Sequence, residues 1–206
     1  MFEREGRGPG SNQQSDIDLY RAAGRGSEEA MAVLYRRHGS LVYRFSLRMC
    51  QDAWAAEEVT QEVFMALLRQ PDRFDPERAA LATWLCGIAR RQVWKYLERN
   101  RRAPGGELEI DSEDGGFEVQ SMDDDPSVVL SRKEAVATVR QGLDELPPHM
   151  KEVIVLCEFE EMTYEDAAAV LNIPIGTVRS RLHRAKAGLA QLLRADAVST
   201  LKENRQ

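Results

Sequence analysis

From Asp16 onward, apolar residues recur at steps of three and four, the period of a helix with one buried face. No stretch alternates apolar with polar positions as a half-buried strand would. Leu19, Ala22 and Ala23 open the pattern, and Gly24-Arg25-Gly26 interrupts it. Ser27 is placed to cap the next segment, in which Ala30, Val33 and Leu34 form one face and Leu41, Phe45 and Met49 another. The arginines between them, Arg36, Arg37, Arg44 and Arg48, are expected on a solvated face. Val59, Val63 and Leu67 mark the following helix, which Pro71 ends by restricting Gln70. After the Asp75-Pro76 turn, a long helix is predicted from about Leu81, with Leu85, Ile88, Ala89, Val93 and Tyr96 on its buried side.

The pattern resumes at Ser127. Val129, Val136, Val139 and Leu143 line one helix, and Pro147-Pro148 starts another whose run Val153-Ile154-Val155-Leu156 must be buried. Thr163 then caps a short helix, Tyr164 to Leu171, with Asp166 in the capping-box position. Pro174 supplies no amide donor and biases Ile173 away from helix, so the chain turns there. A further helix begins near Ile175 with Val178, Leu182, Ala185, Leu189 and Leu192 as its apolar stripe. Ser180, His183 and Arg184 point the opposite way, with Arg179 on the shoulder. A short helix, a tight turn and a helix with one greasy and one cationic face are what a helix-turn-helix needs to enter a major groove. The fold class predicted is all-α: two small helical domains, 16–103 and 127–195, joined by a flexible acidic linker, 104–126, the C-terminal domain being a helix-turn-helix. Tails at 1–15, expected to be disordered, and 196–206 flank them.

Composition adds exclusions. The 206 residues contain no apolar run near the ~20 needed to span a bilayer. The polar opening MFEREGRGPGSNQQSD has no apolar core of a secretion signal, which predicts a cytoplasmic protein. Cys50, Cys86 and Cys157 are widely spaced, and neither a disulfide framework nor a metal site is expected. Cys86 and Cys157 sit among apolar neighbours and are expected to pack as small hydrophobes. No phosphate-binding glycine loop or nucleophile–base pattern is evident, so neither a cofactor nor catalysis is expected.

Net charge is −6, which disfavours an independent DNA binder. Its distribution is uneven: residues 104–131 carry nine acidic side chains and no basic one, whereas residues 16–103 carry fifteen basic and twelve acidic. Phosphate attraction supplies most non-specific DNA affinity, so a chain balanced in this way is expected to bind DNA weakly alone.

Two surfaces remain open to more than one reading. Glu58, Gln61, Glu62 and Leu68 share a side of their helix, at steps of three to seven, and could simply be a solvated acidic face. On the long helix, Arg91, Lys95 and Arg102 recur among Arg90, Arg99 and Arg101, with Trp84 and Trp94 interleaved. That is either a platform for unstacked bases or core tryptophans beside an ordinary basic face.

The residues then carry a family resemblance. AAEEVTQEVFMALL resembles the core-polymerase-binding helix of bacterial sigma factors of the extracytoplasmic-function (ECF) group. FDPERAALATWLCGIARRQVWKYLERNRR resembles their promoter-melting segment, and LDELPPHMKEVIVLCEFEEMTYEDAAAVLNIPIGTVRSRLHRAKAGL their −35-reading domain. The resemblance implies that Glu58, Gln61, Glu62 and Leu68 dock on a basic coiled coil of core RNA polymerase. It implies that Arg73, Leu81, Thr83, Trp84, Ile88, Arg91 and Lys95 serve −10 recognition and melting, and that Thr177, Arg179, Ser180, His183 and Arg184 contact the −35 element. Leu81 stands where the family commonly has an aromatic residue, and Arg91 where it often has asparagine. The partners implied are core RNA polymerase, promoter DNA and an anti-sigma factor. A stand-alone helix-turn-helix regulator and a polymerase-binding decoy are the competing readings.

Overall fold

The computed structural model describes the backbone of residues 14–102 and 126–203, and the side chains of residues 14–102 and 135–194. The acidic linker up to residue 125, residues 1–13 and residues 204–206 lie outside the described residues, and the predicted C-terminal tail is helical through residue 203. Among the described residues every regular element is helical. The N-terminal domain contains α1 (Asp16–Gly24), α2 (Glu28–Cys50), α3 (Ala53–Arg69) and α4 (Leu81–Arg102). The C-terminal domain contains α5 (Pro126–Asp144), α6 (Pro148–Ile154), a π-helical turn (Val155–Phe159), α7 (Tyr164–Leu171) and α8 (Ile175–Glu203).

Local chemistry sets the boundaries. Ser15, Ser27 and Asp52 each accept a hydrogen bond from the amide three residues on, at 3.2, 3.2 and 3.0 Å, and so cap α1, α2 and α3. Ser15 and Gln14 are therefore tied to the domain as well, the Gln14 carbonyl accepting from Arg37 at 2.9 Å. Gln51 adopts a left-handed conformation, φ 58°, and stops α2. Although the two apolar faces read from the sequence differ in phase, α2 is one continuous helix. Its neighbours α1, α3 and α4 surround it, so Leu34, Val42 and Phe45 are all fully buried. Truncating such a side chain as Phe45 to alanine costs about 3–5 kcal/mol.

At the end of α1, the backbone at Gly24 passes Pro71 so closely that a Cβ on residue 24 would lie 2.6 Å from the proline Cβ. The Tyr20 hydroxyl donates to the Gln70 carbonyl at 3.1 Å and accepts the Phe74 amide at 3.3 Å. These contacts fix the loop from α3 to α4.

Two expectations need revision. The segment after Pro147 is not a uniform α-helix: Glu160 donates its amide to the Val155 carbonyl at 3.0 Å, the five-residue spacing of a π turn. The extra residue advances the following chain by about 100° relative to α-helical phase. In addition, the arginines of α2 do not form a uniformly solvated face. Arg37 pairs with Asp16 at 2.7 Å, and Arg44 pairs with Glu160 of the other domain at 2.8 Å. Arg48 also reaches Glu160 and lies over the Phe159 ring.

The two bundles are packed together, with α4 against α7 and the π turn near α2, and their buried residues form one contiguous cluster. Cys50 and Cys86 lie in that cluster, where burial pushes each thiol up to about 12; Cys157 is half-buried and raised to about 11, again by burial. None of the three has the lowered pKa of a reactive thiol.

Candidate nucleic-acid interface

The helix-turn-helix is built as its turn chemistry requires. The Thr163 hydroxyl accepts the Asp166 amide at 3.0 Å and donates to the Asp166 carboxylate at 2.7 Å. Asn172 closes α7 in the left-handed region at φ 54°. The Pro174 carbonyl accepts the amides of Thr177 and Val178, at 2.8 and 3.1 Å, and starts α8. Val178, Leu182 and Ala185 are buried against the domain, which turns Arg179, Ser180, His183 and Arg184 to solvent. Thr177 is half-buried beside them.

Two of these donors are held in place. The Arg179 guanidinium sits 5.8 Å from the centroid of the Tyr164 ring, a cation–π distance. Arg184 donates Nε–H to the Ser180 carbonyl at 3.3 Å, and the Ser180 hydroxyl donates to the Thr177 carbonyl at 3.1 Å. The face therefore presents two cations with a histidine and a hydroxyl between them, a donor set suited to guanine edges and phosphates. Tyr164 was not legible as part of it, because a tyrosine following a cap carries no mark of which helix it touches.

On α4 the residues implicated in strand opening do not line one open pocket. Leu81 and Ile88 are buried toward the domain core. Thr83 is 4% exposed, and its hydroxyl donates to Asp166 of α7 at 2.7 Å. Trp84 is half-buried, edge-on to Tyr20 at 5.8 Å and tilted on Phe74 at 5.6 Å, so it belongs to an aromatic cluster that steadies the loop. Arg73, Arg91 and Lys95 are exposed. Trp94 and Arg90 are neither core nor free surface: both donate to Glu152 of α6, Arg90 at 2.7 Å through Nε and 3.3 Å through Nη2.

On α3, Glu58, Gln61 and Leu68 are exposed, and Glu62 pairs loosely with Arg69 at 3.2 Å. Trp54, 64% exposed, and Met65, 36% exposed, extend the same stripe. The order Trp54, Glu58, Gln61, Met65, Leu68 runs at alternating steps of four and three. Extending the spacing of Glu58 and Gln61 outward would have found both. Beside the stripe lies a groove of about 760 Å³ between α2 and α3, lined by Tyr35, Gly39, Tyr43, Gln61, Phe64 and Met65. Among the described residues no cluster of side chains could hold a metal ion, and no helix is long and apolar enough to cross a membrane.

A basic helix-turn-helix joined to a second helical bundle with an acidic-apolar stripe and a basic helix defines a two-part DNA-reading protein. Residues 34–103 match the model for sigma-70 region 2, and residues 137–189 that for sigma-70 region 4. The chain is 32% identical over 185 residues to the RNA polymerase sigma-H factor of Pseudomonas aeruginosa, covering 88% of this chain and 95% of that one. It is 29% identical to the ECF RNA polymerase sigma factor SigW of Bacillus subtilis, covering 82% and 92%. Among solved structures it resembles CnrH in complex with the cytosolic domain of CnrY, with TM-score 0.66, 26% identity and coverage of 89% and 99%. The chain belongs to the RNA polymerase sigma factors, within their ECF group.

Proposed function

We propose that this chain is the promoter-specificity subunit of a bacterial RNA polymerase: it binds the core enzyme, reads −35 and −10 elements and assists strand opening. The observation that carries this reading is the presence of an acidic docking stripe, a basic helix and a helix-turn-helix in one chain, in the order of sigma regions 2 and 4.

Glu58, Gln61, Glu62 and Leu68 are assigned to the core polymerase. Acidic groups facing a basic coiled coil add steering and register, while the exposed apolar residues add contact area. Arg179, Ser180, His183 and Arg184 are assigned to the −35 element, with Thr177 toward phosphate. Arg73, Thr83, Trp84, Arg91 and Lys95 are assigned to the −10 region. Leu81 and Ile88 act there as the buried support of α4. Polymerase, held at both ends, turns the second DNA contact into an intramolecular one, so two weak domains suffice. The chemistry is the polymerase's; this chain carries no reaction of its own and works where the polymerase does, in the cytoplasm. An anti-sigma protein is the expected regulator: CnrH is held by the cytosolic domain of another protein, CnrY, and a sigma factor of similar fold, RpoE of Bartonella quintana, is in complex with the anti-sigma factor NepR.

The test is promoter selection by reconstituted enzyme. Core polymerase plus this chain is expected to initiate at a defined set of promoters that core alone ignores. Glu62→Lys should weaken assembly while leaving helical content unchanged. Tight, specific promoter binding by the free chain at physiological salt would favour the stand-alone regulator instead.

A further inference from the structure

Two residues at the start of α8 are not accounted for by the fold. Ile175, the first of them, is 37% exposed, although the apolar residues that follow at Val178, Leu182 and Ala185 are buried. Gly176 is exposed as well. Beyond its chain neighbours and the backbone of its own helix, a Cβ at position 176 would meet nothing within 4 Å, and its φ lies outside the left-handed region. By contrast, a Cβ at Gly24 or Gly142 would come within 2.6 or 2.8 Å of a neighbouring side chain. Neither packing nor backbone conformation therefore requires glycine at 176, where alanine would favour the helix.

Residues four apart stand one above another on a helix. Ile175, Arg179 and His183 form one such row, and Gly176, Ser180 and Arg184 form the row beside it. All six are exposed. The side-chain donors of this face begin one turn into the helix, and its tip is an isoleucine beside bare backbone. The N-terminal residues of a recognition helix are the ones that meet base edges. In the major groove thymine presents a methyl group, which apolar side chains read by contact. A residue without a side chain lets another surface approach the backbone closely.

We propose that Ile175 is a specificity-determining residue of the helix-turn-helix. Its side chain packs on the C5-methyl group of one thymine of the −35 element, and the bare backbone at Gly176 lets the DNA come close enough for that contact. The inference rests on the assignment of α8 to the −35 element. It adds an apolar contact to a face whose assigned readers, Arg179, Ser180, His183 and Arg184, are all polar. The two kinds of contact carry different information. An arginine finds acceptors on several bases and on every phosphate, whereas the methyl group marks thymine alone.

The probe is a promoter fragment selected by the holoenzyme, core polymerase plus this chain. Each thymine of its −35 element, on either strand, is replaced in turn by deoxyuridine, which pairs as thymine does and lacks only the methyl group. Wild-type holoenzyme is expected to lose about fourfold in affinity at one of these positions, the worth of one buried methyl group. Ile175→Ala should bind the thymine fragment more weakly than wild type and lose nothing further when uracil stands at that position. Circular dichroism of this variant should match wild type, because Ile175 is exposed. Gly176→Ala should melt no lower than wild type yet bind the thymine fragment severalfold more weakly.

A −35 element without thymine, or an affinity that no uracil changes, overturns the proposal. So does an Ile175→Ala holoenzyme that keeps the wild-type response to uracil, since another residue then reads the methyl group. Normal affinity in Gly176→Ala overturns the close approach. A wild-type chain that directs core polymerase to no promoter defeats the sigma-factor reading itself, an outcome distinct from indifference to uracil.

Discussion

Thr83 on α4 donates its hydroxyl proton to Asp166 on α7 at 2.7 Å, tying the helix assigned to strand opening to the first helix of the helix-turn-helix. Asp166 also receives the Thr163 hydroxyl through its other oxygen, while its amide is capped by that hydroxyl oxygen. One carboxylate thus serves both the start of α7 and the contact between domains.

Thr163→Ala removes the cap and leaves the Asp166 amide without its partner. A loss of about 1 kcal/mol of stability is expected, the usual value for an N-cap. Urea unfolding followed by circular dichroism measures it. An unchanged midpoint would show that solvent replaces the hydroxyl at no cost.

Gly24→Ala should be more damaging than its small size suggests. The added methyl meets the Cβ of a stiff proline ring at 2.6 Å, and Pro71 cannot swing aside as a long side chain could. A loss of about 1–3 kcal/mol is expected, the range for overpacking. The comparison is with Gly87→Ala, where a Cβ would meet nothing within 4 Å beyond the backbone of its own helix. Equal melting temperatures for the two variants would contradict the packing argument.

Tyr164→Ala should weaken −35 recognition although Tyr164 lies outside α8. Its ring holds the Arg179 guanidinium at 5.8 Å, and a released arginine must lose rotamer freedom on binding. Holoenzyme affinity for a promoter fragment should fall by severalfold, with Tyr164→Phe close to wild type. Arg184→Ala should cost more, up to about 1–3 kcal/mol if Arg184 pairs with a base edge. Loss of affinity for every sequence alike would instead place Arg184 on phosphate.

The interface should respond to pH in a known direction. Burial holds the Glu160 carboxyl above the ordinary glutamate value of 4.5, in spite of Arg44 and Arg48. A raised carboxyl pKa means the closed form takes up a proton as it forms. Closure is therefore favoured as pH falls through the window just above 4.5 and is weakest above that window. Asp52 has the opposite sign. Burial alone would raise its carboxyl, but hydrogen bonds from Tyr96 and from the Ala55 and Trp54 amides outweigh that and hold it below 3.8. Its contribution is present above the unfolded value and lost only as pH falls through the lowered one. Scattering measured from neutral pH down to about 5 should show the wild type becoming more compact while Asp52 stays ionised. Glu160→Gln should stay compact across the range. A wild-type radius that grows toward pH 5 would contradict the assignment to Glu160.

Most of the helical layout was legible in the sequence, because burial leaves a periodic trace. Val178, Leu182 and Ala185 announced the buried side of α8 and so the exposed side carrying Arg179 and Arg184. Thr163, Asn172 and Pro174 marked the turn through backbone chemistry that acts locally. The π turn was not legible, since Val155 to Phe159 is apolar enough to suit either helical phase.

By itself the sequence determined which residues form helices, which faces of α3 and α8 reach solvent, and where acidity concentrates. These follow from apolar period and from caps, which depend on neighbours a few positions away. Only the tertiary structure decided the state of α4 and the partners of the α2 arginines. A charged residue at a surface position looks the same in sequence whether it faces water or a carboxylate from another domain. Arg44 and Arg48 are separated from Glu160 by more than a hundred residues, and no local periodicity records that they meet.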